Sequence, residues 1–469
     1  MRAENEVREI DHSKYDFRTK EKLAVKLDEG LSEKTVREIS TLKKEPAWML
    51  ELRLKSYQEF LRRPVPAWGA NLEGINFNEI DYYARQDAPK ARNWEDVPKE
   101  IKDTFEKLGV PEAERKFLAG SIAQFKSEAV YHNLKKNWEE KGVVFTDMDT
   151  ALQKYPEIVR KHFMRAVPFT DNKFAALHGA VWSGGTFLHV PKNVKIDLPL
   201  QNYFRMNSGR EGMFEHTMII LEEGAKASYV EGCTAPRYEE ASMHSAIIEV
   251  FVGENAQASY TSVQNWSKNI YNMNTKRALV EKKGRMQWVD GSLGSKVTML
   301  YPMSVLRGEG ASTSNYNMTF SSEGSWKDTG AKVIHAAPNT TSKIVAKSIS
   351  MSGGIAAYRG LLRINKGALN AKSHVQCDAL ILDDSSKTGT YPHNEIYEPT
   401  ASFGHEASVG KISDEQVFYL MNRGLKESEA KSMIVLGFLD EVLKEIPFEY
   451  SVEFNRLVKL EFSKLGAVG

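Results

Sequence analysis

A mainly β core, coiled into a parallel β-helix and flanked by α-helical domains at both ends, is the fold class the sequence predicts. Three observations predict it. Short runs rich in Val, Ile, Thr and Tyr fill the middle of the chain between Gly or Asn turns, among them HTMIILEEG, HSAIIEVFVGEN, SKVTMLYPMSVLRGEG and SKIVAKSISMSGG. A repeat runs through them: EEGAKASYVEGC begins at Glu222 and GENAQASYTSVQ begins 31 residues later at Gly253. Each copy is a turn, an alanine, one long polar residue, then ASY and a strand. Helical periodicity with capping residues lies on either side.

The first domain, residues 1–155, reads as mainly helical and polar. In LSEKTVREISTLKKEPAWMLELRLKSYQEFLRRP, Ser32 precedes one helix, and Pro46 opens a second carrying Trp48, Leu50, Leu52, Leu54 and Phe60. DVPKEIKDTFEKLGVPEAERKFLAG gives a third, punctuated by Gly109 and Pro111.

The core, residues 156–408, carries the repeat, with looser echoes at EKKGRMQWVDG, SSEGSWKDTGAK and INKGALNAKSHVQC. One turn-plus-strand unit cannot bury its own apolar face, so such units stack into a solenoid. A β-sandwich is the alternative architecture.

In the last domain, residues 409–469, Ser413 and Gln416 form a capping box. Gly424 ends that helix, and ESEAKSMIVLGFLDEVLKEIP forms a second that stops before Pro447. Its Met433, Ile434, Leu436, Phe438, Val442 and Leu443 either pack on the chain's own core or dock another protein.

Composition narrows the function. Lys+Arg 63 against Asp+Glu 62 leaves a net charge of +1 and no basic stripe, which argues against a general nucleic-acid binder. The charged N-terminus has no apolar signal core, and no apolar run approaches the roughly 18–20 residues of a membrane span. Two cysteines in 469 residues exclude a disulfide framework, and reduced thiols in the cytoplasm are expected. There is no phosphate loop, no GxSxG elbow and no HExxH, so ATP hydrolysis by this chain itself is not expected.

The two cysteines carry the chemical interest. The 31-residue offset places Ala227 on Ala258, Tyr229 on Tyr260 and Cys233 on Gln264, about 4.8 Å apart in a parallel stack. Trp266 shares the face of Gln264, and NYFRMNS puts Arg205 and Asn207 at the same parity one coil earlier. Cys233 is then either a small core hydrophobe or a thiol whose polar neighbours guide a sulfur species, an adjacent Arg favouring its thiolate. His374 and Cys377 lie three apart on a strand and point to opposite faces, as do His405 and Glu406. Two thiols cannot fill the four positions that iron–sulfur clusters commonly occupy, so any such site must add His, Glu or a second subunit.

VEGCTAP, SVQNW, TKRALV, HVQCDAL, HEASVGKISDEQVFYLMNRG and EAKSMIVLGF together resemble the SufB members of the SufB/SufD family, scaffold subunits of the SUF iron–sulfur cluster assembly system. The resemblance covers roughly residues 70–469. It implies a right-handed parallel β-helix between two helical domains, the C-terminal one docking the SufC ATPase, with SufD or a second SufB pairing through the β-helix.

Carried over by position, Cys233 matches the acceptor of persulfide sulfur from a cysteine desulfurase. Arg205, Asn207, Gln264, Trp266 and Lys276 match residues lining a sulfur path. Cys377 matches the interface cysteine where the nascent cluster forms, Glu406 a ligand and His405 its functional neighbour. Gly404 stands where some members have Glu, and an additional N-terminal cysteine motif of some members is absent.

The expected function is therefore a scaffold without turnover of its own, in the cytoplasm and without a plastid transit peptide. No dinucleotide fingerprint supports flavin, which the sequence leaves open. The rival readings are a β-helix polysaccharide lyase or hydrolase, which wants clustered carboxylates and secretion, and the sister subunit SufD, against which stand VEGCTAP and Cys377.

Overall fold

The computed structural model describes residues 23–86, 90–107, 118–236 and 238–446. Gly109, Pro111 and Pro447 lie outside them. Two long sheets face each other and form a β-solenoid of about eight turns. The first runs from Ser402–Lys411 at one edge through Lys372–Ile381, Thr341–Ser350, Ser312–Ser321, Arg285–Gly294, Gln257–Trp266, Lys226–Thr234 and Leu200–Arg205 to Gly120–Phe125. Every neighbour in that series is parallel. The chain returns through the second sheet between successive strands of the first, so a parallel β-helix, not a sandwich, is what the repeat encodes.

The repeat's turn explains the regularity. Gly224, Asn255, Lys283, Gly310 and Asn339 all take a positive φ, 53° to 69°, at equivalent corners of successive coils. Each donates its backbone N–H to a carbonyl of the next coil: Glu254, Lys282, Glu309, Pro338 and Leu369. Glycine and asparagine suit this left-handed corner because they tolerate it best, and Lys283 shows that the stack can impose it on a less suited residue. Inside, the repeated ASY stacks Tyr229 on Tyr260 and Tyr260 on Trp288, with ring centroids 5.3 Å apart at each step. The apolar core between the sheets includes Leu200, Val250, Ala278, Leu362 and Val375.

The helices cover faces and one end. Helices Glu33–Leu42, Ala47–Arg62 and Lys99–Lys107 match the sequence reading, with Ser32 accepting from the Thr35 N–H and Pro46 at the second N-cap. Buried Arg53 locks the second helix in place, donating to Glu45 and to the carbonyls of Ala180 and Trp182. The sheets begin earlier than the sequence reading placed them. Gly120–Phe125 and Glu128–Leu134 extend the first sheet, Val144–Asp147 extends the second, and helix Lys173–Val181 follows. Glu128–Leu134 and Val144–Asp147 are antiparallel and close that end of the stack. The SSEGSWKDTGAK echo belongs to the second sheet, where Trp326–Thr329 pairs with Val297–Leu300 and Ile355–Ile364.

At the other end the edge strands Lys387–Ile396 and Ser402–Lys411 have no strand beyond them among the described residues. Tyr391, Ile396, Tyr397 and Val409 are exposed there. Ser413 caps helix Asp414–Met421, Gly424 turns the chain at φ 94°, and helix Glu427–Leu443 follows. That last helix divides its apolar residues. Val435, Leu439, Val442 and Leu443 pack on the outer face of the first sheet against Val263, Val289 and Val345, while Met433, like Phe418, Tyr419 and Met421 of the preceding helix, is exposed.

Candidate functional site

Strand register sets two polar columns side by side on the inner face of the first sheet. One runs Asn202, Glu231, Ser262, Asp290, Asn317, Ala346, Cys377. The other, two residues further along each strand, runs Phe204, Cys233, Gln264, Ser292, Thr319, Ser348. Side chains two apart on a strand share a face, so Glu231 and Cys233 point the same way. Five strand spacings of ~4.8 Å separate the Cys233 strand from the Cys377 strand, about 24 Å along the stack. Hydrogen bonding leaves polar atoms over: Asn202 Oδ1, Ser262 Oγ, Gln264 Nε2, Asp290 Oδ2 and Ser292 Oγ are buried without a partner among the described residues. Such groups are costly in an interior unless something polar meets them.

Cys233 is fully buried between two kinds of neighbour. On one side lie Phe204, Met206, Met213, Trp266 and Ile270. On the other, its thiol donates to Glu231 Oε1 at 3.6 Å, and Tyr260 donates to Glu231 Oε2 at 2.7 Å. The His244 ring lies 4.5 Å from that of Trp266, tilted by 42°, and donates through Nε2 to Glu215 and through Nδ1 to Asn272 Oδ1 at 2.7 Å. Asn272 in turn donates to Gln264 Oε1 at 2.6 Å, which fixes its amide orientation. Burial pushes the Cys233 thiol well above its ordinary range, and the charges of Glu231 and Glu215 push it further. Burial raises Glu231 too. Burial disfavours charge on His244, yet Glu215, Asn272 and Glu231 together outweigh it and raise the ring. Lys276, from the second sheet, reaches across the interior to pair with Asp290 and lies 4.5 Å from the Tyr260 ring.

Cys377 is nearly buried near the open edge. Its sulfur lies 3.6 Å from His405 Nε2, and the Tyr358 hydroxyl, from the facing sheet, bonds to it. Burial pushes this thiol up to about 12, with the Tyr358 hydroxyl working against the shift. Burial, and then the neighbouring His374, lower His405. Cys377 pairs in register with Ala407 and His405 with Val375, so Cys377 and His405 share the inner face. Glu406 pairs with Gln376 on the outer face and is exposed. Gly404 stands opposite His374, also outward.

The structure thus brings together Cys233, Gln264, Trp266 and, across the interior, Lys276, and separately Cys377 and His405. It does not bring Arg205 and Asn207 to the Cys233 column. The register partner of Cys233 is Phe204, and Arg205 pairs with Thr234, donating to its hydroxyl at 3.1 Å on the other face. The reason is parity: the coils on either side of Cys233 are 29 and 31 residues long, both odd, so its face in the preceding coil carries the even positions Asn202 and Phe204, and Arg205 falls on the other face. Asn207 lies beyond the strand, its N–H donating to Glu211. The expectation of an arginine-favoured thiolate is corrected accordingly, because the charges acting most strongly on Cys233 are carboxylates. Sequence reasoning missed Glu215, Glu231, His244, Asn272 and Tyr358. VEGC held one signal, Glu231 two residues before Cys233, but the others reach the site from different coils.

Comparison with known proteins is consistent with this architecture. The family model described as SufBD protein N-terminal region matches residues 36–202, and the model described as SUF system FeS cluster assembly, SufBD core domain, matches residues 204–438. An iron–sulfur cluster assembly SufBD family protein of Staphylococcus aureus (strain USA300) is 51% identical over 461 residues, covering 98% of this chain and 99% of the relative. One of Staphylococcus haemolyticus (strain JCSC1435) matches with the same identity and coverage. Among the described residues no helix is long and apolar enough to cross a membrane.

Proposed function

The chain belongs to the SufBD family of iron–sulfur cluster assembly proteins, and within that family we propose that it is the sulfur-accepting scaffold of the SufB kind. The adjacent inner columns that join the surroundings of Cys233 to those of Cys377 carry this reading. A persulfide delivered from a cysteine desulfurase exchanges with Cys233: the donor S–S bond breaks, a new one forms on Cys233, and the donor leaves as a thiol. Net passage to Cys377 regenerates the Cys233 thiol and leaves the sulfane sulfur on Cys377, with no change in electron count.

Iron and sulfur, the cargo of the scaffold, then meet at Cys377 and His405, with further ligands from the partner. Glu406 faces outward and serves only where a second chain or a rearranged edge brings it round. The open edge strands pair with SufD or a second copy, since unpaired edges with exposed Tyr391, Tyr397 and Val409 are templates for association. The exposed Phe418, Tyr419, Met421 and Met433 dock SufC, where ATP hydrolysis resides. ATP binding there shifts the pair only through contacts that differ between two states. The cytoplasm is the setting.

Two substitutions in the co-expressed complex test the reading. Cys377→Ala should remove cluster absorbance and bound iron and sulfide, and unchanged content would contradict the ligand role. Cys233→Ala should abolish loading of radiolabelled sulfur, and normal loading would overturn the acceptor assignment.

A further inference from the structure

We propose that Glu215, Cys233 and His244, with Glu231 completing the shell, form a buried site for a divalent cation of the Fe2+ or Zn2+ class. The ligating atoms of Glu215, Cys233 and His244 lie within 4.8 Å of one another, and all three residues are buried. Glu231 Oε1 is 3.6 Å from the Cys233 sulfur, which brings a fourth donor to the same point. These donors come from Glu215 at the head of one strand, Glu231 and Cys233 on Lys226–Thr234, and His244 on Ser242–His244. The stack, not local sequence, assembles them.

Three further observations point to a cation. Glu215 Oε2 is buried without a hydrogen-bond partner among the described residues, leaving an oxygen for a ligand. Two carboxylates and a thiol face one imidazole, while the nearest ammonium, Lys276, is engaged by Asp290. Carboxylates so placed call for positive charge. His244 also has the outer-shell support common to metal-bound histidines: Nδ1 donates to Asn272, which Gln264 holds in turn, so Nε2 is the nitrogen presented to the other donors. One thiolate, one imidazole and carboxylates suit Fe2+, Zn2+ or Co2+ and do not suit Ca2+ or Mg2+.

Coordination breaks the S–H bond of Cys233 and the Nε2–H bond of His244, and both protons leave to solvent. Bonds form from the cation to sulfur, nitrogen and oxygen, and no oxidation state changes. The site stands independently of sulfur acceptance. A cation bound here would also occupy the thiol proposed to take sulfur, a consequence that does rest on that reading and is measured separately, as sulfur loading with and without Zn2+.

Cobalt is the direct probe, because in the full-length Cys377→Ser chain Cys233 is the only thiol left. Anaerobic Co2+, supplied during expression and again to the purified chain until the spectrum is stationary, should give one equivalent bound with thiolate-to-cobalt absorption. Cys233→Ser should abolish the band, and Glu215→Gln and His244→Gln should weaken binding ~10-fold or more. Asn272→Ala, which touches no donor atom of the cation, should weaken it about 10–100-fold. Far-UV circular dichroism identifies the variants that keep the fold, and only those are compared. Absence of the band in folded Cys377→Ser protein overturns the site. So does a band of equal affinity after Glu215, His244 and Asn272 are each replaced. Sulfur loading that persists when the cobalt band is absent defeats the cation site alone, and the reverse result defeats the acceptor reading alone.

Discussion

Replacing Lys276 with Met tests whether the charged groups of the inner columns are truly interior. The Lys276 side chain is 0% exposed and its partner Asp290 is 1% exposed. Lys276→Met keeps the length of the apolar stem but leaves Asp290 as a buried carboxylate without its cation, and removes the ammonium that offsets the burial of Glu231. Breaking a buried pair from one side costs about 3–5 kcal/mol. With an unfolding entropy of about 2.1 cal/mol/K per residue, a chain of 469 residues shifts by about 1 °C for each kcal/mol, so the melting temperature should fall by roughly 3–5 °C. Asp290→Asn in the same chain removes the orphaned charge and should recover about 1–3 kcal/mol of the loss. Calorimetry on the two single variants and the double variant reads this cycle. A loss below about 1 kcal/mol in Lys276→Met is what a solvated surface pair would give. That result, or no recovery in the double variant, refutes the interior placement.

Other consequences are independent of that pair. Because burial lifts the Cys377 thiol to about 12, its alkylation in a Cys233→Ala chain should keep rising about tenfold per pH unit beyond pH 9; a plateau near pH 9 contradicts it. Burial raises Glu249 to about 7, against the N–H groups of Val167, Met164 and Ala166, and lowers its partner His216 to about 3. Between the unfolded values of 4.5 and 6.5 the folded pair holds one proton on Glu249 and the unfolded pair holds one on the histidine, so the pair adds no slope to stability. His216→Gln leaves the Glu249 contribution alone, which favours the fold at low pH and is lost as pH rises towards 7. The stability deficit of that variant should therefore narrow as pH falls from 6.5 to 5, by up to about 1.4 kcal/mol per unit, and a constant deficit in urea titrations contradicts it. On the edge strand, Val409→Lys should weaken pairing with a second chain without altering the fold; an unchanged mass of the complex by light scattering counts against the open edge as the interface.

Much of the fold was legible because a solenoid writes its geometry into spacing. ASY recurs at the stacking distance of two coils, so Tyr229 over Tyr260 and Cys233 beside Gln264 followed from the sequence and hold in the structure. Ser32, Pro46, Ser413 and Gly424 end helices through local backbone chemistry, which sequence carries directly. Arg205 was misplaced because an odd coil length exchanges odd and even positions between coils, which puts Asn202 and Phe204 on the Cys233 face and Arg205 on the other. The strands over residues 120–147 were missed because they are short and join sheets built mostly from residues far along the chain. Lys276 followed from resemblance alone, since its partner Asp290 lies on the opposite sheet and neither residue's spacing shows that. Glu215, His244 and Asn272 had no sequence signal, because 29 residues separate Glu215 from His244 and 28 separate His244 from Asn272, and only the register of the second sheet makes them neighbours.

Mapping persulfides on both cysteines in the intact complex, by alkylation and peptide mass spectrometry after a pulse of labelled sulfur, tests the central claim most directly. Label should reach Cys233 first and Cys377 second, vanish from Cys377 in Cys233→Ala, and accumulate on Cys233 in Cys377→Ala. Label arriving on Cys377 at an unchanged rate without Cys233 would mean that sulfur does not travel by way of the inner columns.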